Sequence, residues 1–315
     1  MITFLSESTD PYYNLAFEEH VFRTVRETDV FLLWQNRPCV VAGSAQNLCR
    51  EVRPARLRRL GIPMLRRVSG GGTVYHDLGN VNYSIITAQT GPTDYAKSLA
   101  PVVDALDRIG VPARMRGVCD LAIGERKISG SAQRSADGRL LHHGTLLFET
   151  DLDMLERITS RGKNEYVQSK GTPSAVSAVT NIRPHLAADM TLEEFKARLL
   201  EEMVPAEADR LALTGDQEAA VRRLAEEKYR SWEWTWGRTP GFTFEREDVF
   251  AGERFSARYQ ARRGIVSGVE IMCSAIDGEK AAALLDGARL DPEEFADICR
   301  TLAGDRAEEL LELLL

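Results

Sequence analysis

The stretch that decides the interpretation of this chain is residues 66–80, Arg66-Arg67-Val68-Ser69-Gly70-Gly71-Gly72-Thr73-Val74-Tyr75-His76-Asp77-Leu78-Gly79-Asn80. Three consecutive glycines carry no Cβ atoms, so their backbone N–H groups can approach an anion closely. The two arginines directly upstream supply the charge and the fork geometry that suit phosphate or carboxylate. The segment predicts an anion-binding loop. An ordinary glycine hairpin beside a solvated basic pair is the alternative that these residues alone leave open.

Two common phosphate-binding motifs do not describe this loop. A Walker A loop needs Gly-Lys followed by Ser or Thr, which is absent here. In a dinucleotide-binding fingerprint the glycines open a helix, whereas the residues after Gly72 predict a strand. The loop therefore indicates a phosphate or carboxylate ligand without identifying a reaction.

A second informative segment reads Cys119-Asp120-Leu121-Ala122-Ile123-Gly124-Glu125-Arg126-Lys127-Ile128-Ser129-Gly130-Ser131-Ala132-Gln133-Arg134. Lys127 follows a predicted turn and precedes small residues, which would let a bulky ligand lie against the backbone. Its amine could bridge a carboxylate and an α-phosphate, although an exposed hairpin lysine is the more ordinary interpretation from composition alone.

A histidine pair, His142-His143, precedes the apolar strand predicted downstream of this segment. Adjacent residues of a strand face opposite ways, so at most one of the two can point into a given pocket. The pair lacks the His-x-x-x-His spacing of a metal site. We therefore expect both to be satisfied core or surface histidines.

Composition narrows the class of protein. The chain has 315 residues, 43% apolar and 28% charged, which is ordinary for a globular protein of one large domain or of a large and a small one. A net charge of -7 disfavours a broad nucleic-acid surface. The five cysteines are scattered without a Cys-x-x-Cys pair, which disfavours a disulfide framework or a zinc site. Neither a signal peptide nor a membrane span is predicted, so we expect a cytoplasmic protein without a membrane or nucleic-acid partner.

Helix and strand signals alternate along the chain. Helices are predicted from capping residues after Asp10-Pro11, after Thr191 and after Asp291. Another is predicted at residues 95–109, closed by Gly110 and Pro112. Strands are predicted at residues 30–34, 39–43, 81–86 and 140–148, and the alternating aromatics of Trp232-Glu233-Trp234-Thr235-Trp236 predict another. A hairpin is predicted from residues 255–261 and 265–273. Together these patterns predict an α+β protein with a domain at 1–241 and a small α+β accessory domain at 242–315.

These segments, in this order, resemble the lipoate–protein ligases. The resemblance rests on residues 66–80, on Arg126-Lys127-Ile128-Ser129-Gly130-Ser131-Ala132 and on His142-His143-Gly144-Thr145-Leu146. It extends to Asp10-Pro11-Tyr12-Tyr13-Asn14-Leu15-Ala16, Gln46-Asn47, Thr180-Asn181 and Ser231-Trp232-Glu233-Trp234, and so spans most of the chain. The joint match is highly specific.

The resemblance implies a fold, an activity and partners. The fold would be the mixed sheet flanked by helices of biotin and lipoate ligases, which is similar to class II synthetases. Such enzymes form lipoyl-AMP from lipoate and Mg-ATP, and the sequence leaves the choice between lipoate and octanoate open. They pass the acyl group to a lysine of a lipoyl carrier domain, in a 2-oxoacid dehydrogenase or the glycine cleavage H protein. No tightly bound organic cofactor is implied.

The resemblance also implies site residues. Arg67 and the backbone of Gly72, Thr73, Val74 and Tyr75 would hold ATP. Lys127 would be the catalytic residue, in contact with both ATP and lipoate. Ser69 and Arg134 would lie near the bound acid, and the metal ligands are unknown.

Two departures from the common pattern leave rival functions open. Cys119 stands where many relatives have Asn, and a thiol is a poor ligand for Mg²⁺. Ser44 stands in Gly43-Ser44-Ala45-Gln46-Asn47, where many have an arginine before Gln-Asn. Cys119 also allows an ATP-independent octanoyl transferase with a cysteine nucleophile, although Asp120 beside it would raise the thiol pKa. A non-catalytic acyl-binding protein is the third hypothesis.

Overall fold

The computed structural model describes residues 1–158, 166–175 and 177–315. The strands of these residues are β1 (Ile2–Leu5), β2 (Val30–Trp34), β3 (Cys39–Ala42), β4 (Met64–Arg66), β5 (Val74–His76), β6 (Asn80–Ala88), β7 (Arg114–Arg116), β8 (Asp120–Ile123), β9 (Arg126–Ala136), β10 (Arg139–Leu147), β11 (Val167–Ser169), β12 (Asp209–Leu211), β13 (Phe242–Phe250), β14 (Glu253–Arg262) and β15 (Ile265–Met272). The α-helices are α1 (Pro11–Thr24), α2 (Leu48–Glu51), α3 (Pro54–Arg59), α4 (Tyr95–Ile109), α5 (Leu152–Ile158), α6 (Leu192–Met203), α7 (Gly215–Leu224), α8 (Trp232–Thr235), α9 (Gly278–Leu285), α10 (Pro292–Ala303) and α11 (Ala307–Leu314).

A large mixed sheet is the frame of the molecule. Within the described residues its eight strands lie in the order β12-β1-β2-β6-β10-β9-β8-β7. The pairs β1–β12 and β1–β2 are parallel, and the remaining pairs are antiparallel. The mixed sheet and its flanking helices confirm the α+β fold class predicted from the sequence.

The two faces of this sheet carry different layers, because successive side chains of a strand point to opposite sides. One face packs Phe31, Leu33 and Tyr83 against helices that include α4 and α6. The other face packs Leu32 and Trp34 against α1 and against a second, small sheet of strand order β4-β3-β5. The loop of three glycines joins β4 to β5, so this second face is the one that meets the loop.

The C-terminal residues build a third sheet with its own apolar core. Strands β13, β14 and β15 form consecutive antiparallel pairs, and α9, α10 and α11 pack on them around Phe295 and Leu310. The edge of this sheet is β11, which comes from residues before position 242 and pairs with β13. The division into domains at 1–241 and 242–315 stays a prediction.

Most of the predicted elements are present. Asp10 caps α1 with Pro11 in its first turn, Gly110 ends α4 in a left-handed conformation, and Thr191 forms a capping box with Glu194. The predicted tail hairpin is β14–β15, and Asp291 caps α10. No helix of the described residues has the length and hydropathy to cross a membrane.

The strand predicted at residues 232–236 is wrong, because this segment is the short helix α8. Ser231 caps it by accepting a hydrogen bond from the Trp234 N–H. The alternating aromatics imitate a strand, but each ring packs on a different neighbour instead of sharing one sheet face. The indole of Trp232 donates to the Leu290 carbonyl, and that of Trp234 donates to the Arg66 carbonyl.

The buried histidines make stability dependent on pH. Burial, with a smaller effect of the neighbouring His143, lowers the pKa of His142 from 6.5 to about 3. Burial, followed by Arg67 and then His143, does the same for His76. Below pH 6.5 the unfolded chain therefore binds protons that the folded chain does not. We expect the free energy of unfolding to fall as the pH drops from 6.5 towards 3, by about 1.4 kcal/mol per pH unit for each histidine.

Urea unfolding at several pH values between 7 and 5 measures this slope. His142→Gln removes one of the two groups, so it should flatten the slope by about 1.4 kcal/mol per pH unit. The matched control is His185→Gln, since His185 is exposed. Equal slopes in the unmodified protein and in His142→Gln would contradict the assignment.

Candidate functional site

The loop of three glycines is held close to the small sheet. Gly71 has a φ of +83°, in the left-handed region that favours glycine. Gly43, directly after β3, lies so close that a Cβ on it would stand 2.2 Å from the Gly71 carbonyl oxygen. On its other side the loop touches the large sheet, because a Cβ on Gly71 would lie 3.6 Å from the Cβ of Ala132. The loop is thus fixed between β3 and β9.

The guanidinium of Arg67 is the internal support of this loop. Its Nη2 donates to the carbonyls of Gly70 and Gly72, its Nη1 donates to the Val41 carbonyl, and its Nε donates to the Ser69 hydroxyl. Burial lowers the pKa of Arg67 to about 10, so the side chain stays charged near neutral pH. Nucleotide binding by Arg67 itself stays a prediction, since the donors described here point to the protein's own oxygens.

The contacts of Arg67 decide which way the loop amides point. In a planar trans peptide the N–H lies opposite the carbonyl. Because the Gly70 and Gly72 carbonyls turn towards Arg67, the N–H groups of Gly71 and Thr73 turn away from it. Thr73 shows this directly, since its N–H donates to the Ser174 hydroxyl at 2.9 Å. The loop therefore presents outward amide donors of the kind that bind phosphate.

The neighbouring arginine, Arg66, fixes the backbone next to the loop through its hydrogen bonds. It is fully buried, at 0% exposure, and donates to the carbonyls of Gly43, Ser44, Gln46 and Thr235 and to the Thr239 hydroxyl. Of the two arginines that the sequence offered as anion ligands, Arg66 is therefore taken up entirely by the protein's own oxygens.

Ser69 is part of a buried hydrogen-bonded chain that sequence reasoning missed. Its Oγ lies 2.6 Å from His143 Nε2, and His143 Nδ1 lies 2.8 Å from Glu18 Oε1. Ser69 and Glu18 are both 1% exposed. The expectation that only one of the paired histidines can enter a given pocket is met, because His143 faces the loop whereas His142 faces Gln133 and Tyr83. A signal for Glu18 was present in the sequence, because Glu18 and Glu19 are consecutive carboxylates inside the helix predicted after Asp10-Pro11.

Lys127 lies on the sheet face that the loop contacts. Its side chain is 24% exposed, and its Nζ forms an ion pair with Asp120 at 2.8 Å. A Cβ on Gly130 would stand 2.8 Å from that Nζ, so the amine lies directly over the Gly130 backbone. Gly130 is two residues from Ala132, the residue that touches Gly71, which is about 7 Å along a strand. The amine is thus part-exposed and lies on the sheet face that the loop of three glycines contacts.

The remaining predicted site residues surround the loop. Arg134 donates to the Val68 carbonyl at 2.8 Å, just before the glycines. Thr73 donates its hydroxyl to Gln46 Oε1. Val74 and Tyr75 begin β5, and the Tyr75 side chain is buried in an apolar cluster. The structure brings all the predicted site residues to one region. Their ligand contacts stay predictions.

The Cys119 thiol lacks the environment of a nucleophile. Burial and then the adjacent Asp120 raise its pKa, and the smaller opposite effect of Lys127 does not offset them. A thiolate needs the reverse, a lowered pKa or a neighbouring base. This disfavours the transferase hypothesis.

The described residues also line cavities away from Lys127. One of about 520 Å³ lies beside β5 and is lined by Tyr75 and Asp77. A cavity of about 860 Å³ lies between α1, α7 and β12, and it contains none of the predicted site residues. The part of the chain that the structure describes holds no cluster of three or more His, Cys, Asp or Glu side chains suited to a metal ion. The described site therefore combines a part-buried lysine amine with backbone amides of a glycine loop, which are groups that suit an anionic ligand.

Comparison with known proteins identifies the family. Residues 10–204 match the model of the lipoyl protein ligase A/B catalytic domain. Lipoate–protein ligase 1 of Staphylococcus aureus is 36% identical over 267 residues, which cover 84% of this chain and 81% of that protein. The chain therefore belongs to the lipoyl protein ligase A/B family, as its sequence motifs predicted.

Solved structures agree with this assignment. A structure of lipoate-protein ligase A bound with ATP matches with a TM-score of 0.62 and 26% identity, over 74% of this chain and 97% of that one. A bi-partite lipoate protein ligase of Thermoplasma acidophilum, reported with its E2 lipoyl domain, matches with a TM-score of 0.64 and 25% identity, over 74% and 95% of the two chains. The fold predicted from the resemblance is thus confirmed.

The close approach of Gly43 predicts a sharp substitution effect. In Gly43→Ala the new methyl group would meet the backbone of Gly70 and Gly71, so the loop must shift. We expect a loss of about 1–3 kcal/mol in the free energy of unfolding, measured by urea denaturation. The matched control is Gly70→Ala, because a Cβ on Gly70 meets no atom within 4 Å. Equal stability of the two variants would contradict the packing described.

Proposed function

We propose that this protein is an ATP-dependent lipoate–protein ligase, which forms lipoyl-AMP and transfers the lipoyl group to a lysine of a lipoyl carrier domain. The observation that carries the proposal is the placement of the Lys127 amine over Gly130, on the sheet face that the loop of three glycines contacts. Family membership supplies the reaction class, and the residue types supply its chemistry.

In the first step a carboxylate oxygen of lipoate attacks the α-phosphorus of Mg-ATP. An oxygen–phosphorus bond forms, the bond to the β-phosphate breaks, and pyrophosphate leaves. Two anions must meet, so the protein has to supply fixed positive charge and amide donors. Lys127 would neutralise both partners, and the outward amides of Gly71 and Thr73 would bind phosphate oxygens. Ser174 now accepts from the Thr73 N–H, so a phosphate oxygen would replace one neutral acceptor by a charged one.

In the second step the acceptor lysine of the carrier attacks the carbonyl carbon of lipoyl-AMP as a neutral amine. An amide bond forms, AMP leaves with its phosphate oxygen, and the amine loses its proton. No covalent bond to the enzyme is required. Lys127 and the loop amides would hold the adenylate during this step as well, so one site would serve both steps.

The finer assignments are part of the proposal. The carrier would be a lipoyl domain of a 2-oxoacid dehydrogenase or the glycine cleavage H protein, and octanoate would compete with lipoate as the acid. Mg²⁺ would enter with ATP, with Asp120 as the nearest carboxylate to Lys127. The test is mass spectrometry of candidate carrier domains after incubation with the protein, ATP, magnesium and either acid. An unchanged carrier mass in every combination would refute the proposed function.

Lys127→Ala should abolish adenylate formation, since it removes the compact positive charge over Gly130. We expect lipoate-dependent ATP–pyrophosphate exchange to fall about 100- to 1,000-fold, the range for loss of one strong electrostatic contact in a transition state. The neighbouring residue Arg126 is exposed, so Arg126→Ala is the matched control and should keep exchange close to that of the unmodified protein. Exchange in Lys127→Ala at the native rate would remove this residue from its role.

The substitution Cys119→Ser distinguishes the ligase hypothesis from the hypothesis of a cysteine-dependent acyl transferase. Because the pKa of this thiol is raised, we expect the variant to retain exchange and carrier modification within about threefold. The decisive comparison is acyl transfer from an octanoylated carrier without ATP. ATP-independent transfer that disappears in Cys119→Ser would decide for the transferase.

A further inference from the structure

A single hydrogen-bonded chain joins the loop of three glycines to a buried carboxylate on α1. It starts at Arg67, whose Nε donates to Ser69 at 2.9 Å, and passes through His143 to Glu18. From the opposite side Trp34 donates to Ser84, and Ser84 donates to Glu18. All of these side chains are buried.

The direction of each hydrogen bond follows from the number of protons available. A carboxylate only accepts, so His143 Nδ1 must carry a proton and donate it to Glu18. In a neutral imidazole the other nitrogen, Nε2, is then an acceptor and takes the single hydroxyl proton of Ser69. This leaves the Ser69 lone pairs to accept from Arg67, which can only donate. The tautomer of His143 is therefore set by Glu18, and the orientation of Ser69 is set by His143.

The chain also explains how a buried arginine is tolerated in the loop. The four described contacts of the Arg67 guanidinium are neutral oxygens. The negative charge of Glu18 opposes the effect of burial on Arg67. Ser69 and His143 lie between the Arg67 guanidinium and the Glu18 carboxylate. The two charged groups are therefore connected by hydrogen bonds and do not touch each other. A buried charge that loses its compensation is strongly destabilised, so the rotamer of Arg67 depends on the whole chain.

We propose that Glu18 and His143 are positioning residues for adenylate formation, acting through Ser69 to hold Arg67 against the Gly70 and Gly72 carbonyls. This inference rests on the proposed function. Neither residue has to touch phosphate for this effect. Glu18 and His143 thereby fix the two peptide planes whose carbonyls, of Gly70 and Gly72, face Arg67. The N–H groups of the same planes, of Gly71 and Thr73, face away from Arg67, so loss of Glu18 or His143 should disorder these two donors.

The kinetic test asks whether the effect of substituting Glu18 depends on the presence of Ser69. Glu18→Gln keeps the shape but removes the charge, and Ser69→Ala interrupts the chain between His143 and Arg67. We expect each substitution to lower the rate of lipoate-dependent ATP–pyrophosphate exchange about 10- to 50-fold, and the double variant to be no more than about threefold worse than Ser69→Ala. The KM for the carrier in transfer from preformed lipoyl-AMP should not change. Losses that multiply in the double variant would show that Glu18 acts independently of Ser69, which overturns the proposal.

The matched control lies on the same strand. His142 is as buried as His143 but faces the other side of the sheet, away from the loop. His142→Gln should therefore leave exchange within about threefold, whatever it does to stability. If it slows exchange as much as His143→Gln does, the effect belongs to strand packing and the proposed chain is wrong.

A measurement without turnover tests the chain itself. The protein has five histidines, so ¹⁵N spectra of histidine-labelled protein are simple, and the signal missing in His143→Gln assigns His143. We expect the proton on Nδ1, and an unprotonated Nδ1 would overturn the proposal. If the unmodified protein showed no exchange, the proposed function and the kinetic role would both fail. The nitrogen spectrum would still decide whether the hydrogen-bonded chain exists.

Discussion

The conformation of the loop of three glycines depends on one buried guanidinium. Arg67 turns two carbonyls of the loop inward, and the planarity of the peptide bond then turns the following N–H groups outward. Glycine is required at position 71 for two reasons. Its φ is positive, and a Cβ on it would lie 2.9 Å from Arg67 Nη2. The buried charge of Arg67 therefore determines where the N–H groups of Gly71 and Thr73 point. The same positive charge would favour an anion bound to those N–H groups.

Other elements converge on the loop and limit its alternatives. Gly43 closes it from β3, Ala132 supports it from β9, and Arg66 holds the preceding backbone to the Thr235 carbonyl of α8. The segment after β11 brings Ser174 onto Thr73, while β11 itself pairs with β13 of the C-terminal sheet. The loop thus contacts parts of the chain that are far apart in sequence. This accounts for a family resemblance that extends over most of the chain and not over the glycines alone.

The sequence predicted the parts of the fold that local physics determines. The caps at Asp10 and Thr191 and the terminating Gly110 are local signals, and the corresponding helices are present. The segment at 232–236 failed because strand-like alternation does not reveal that each indole has a different partner. The chain from Arg67 to Glu18 could not be found either, since it joins residues up to 125 positions apart and depends on strand register. The three glycines and the two arginines before them suggested an anion from their residue types, whereas Lys127 was singled out by the family resemblance, because a lysine after a turn is by itself an ordinary surface residue.

Lys127 illustrates why the site combines a flexible cation with a rigid loop. A lysine side chain loses up to about 2 kcal/mol of rotamer freedom when it is fixed, and this cost would otherwise fall on ligand binding. The ion pair with Asp120 and the contact with Gly130 already order the amine in the described structure. Because the pair is part-exposed, its own strength is modest, so an incoming carboxylate or phosphate can replace Asp120 as the partner. A pair that orders the amine without holding it strongly would suit the proposed reaction, in which the bound anion changes from acid and ATP to acyl-adenylate.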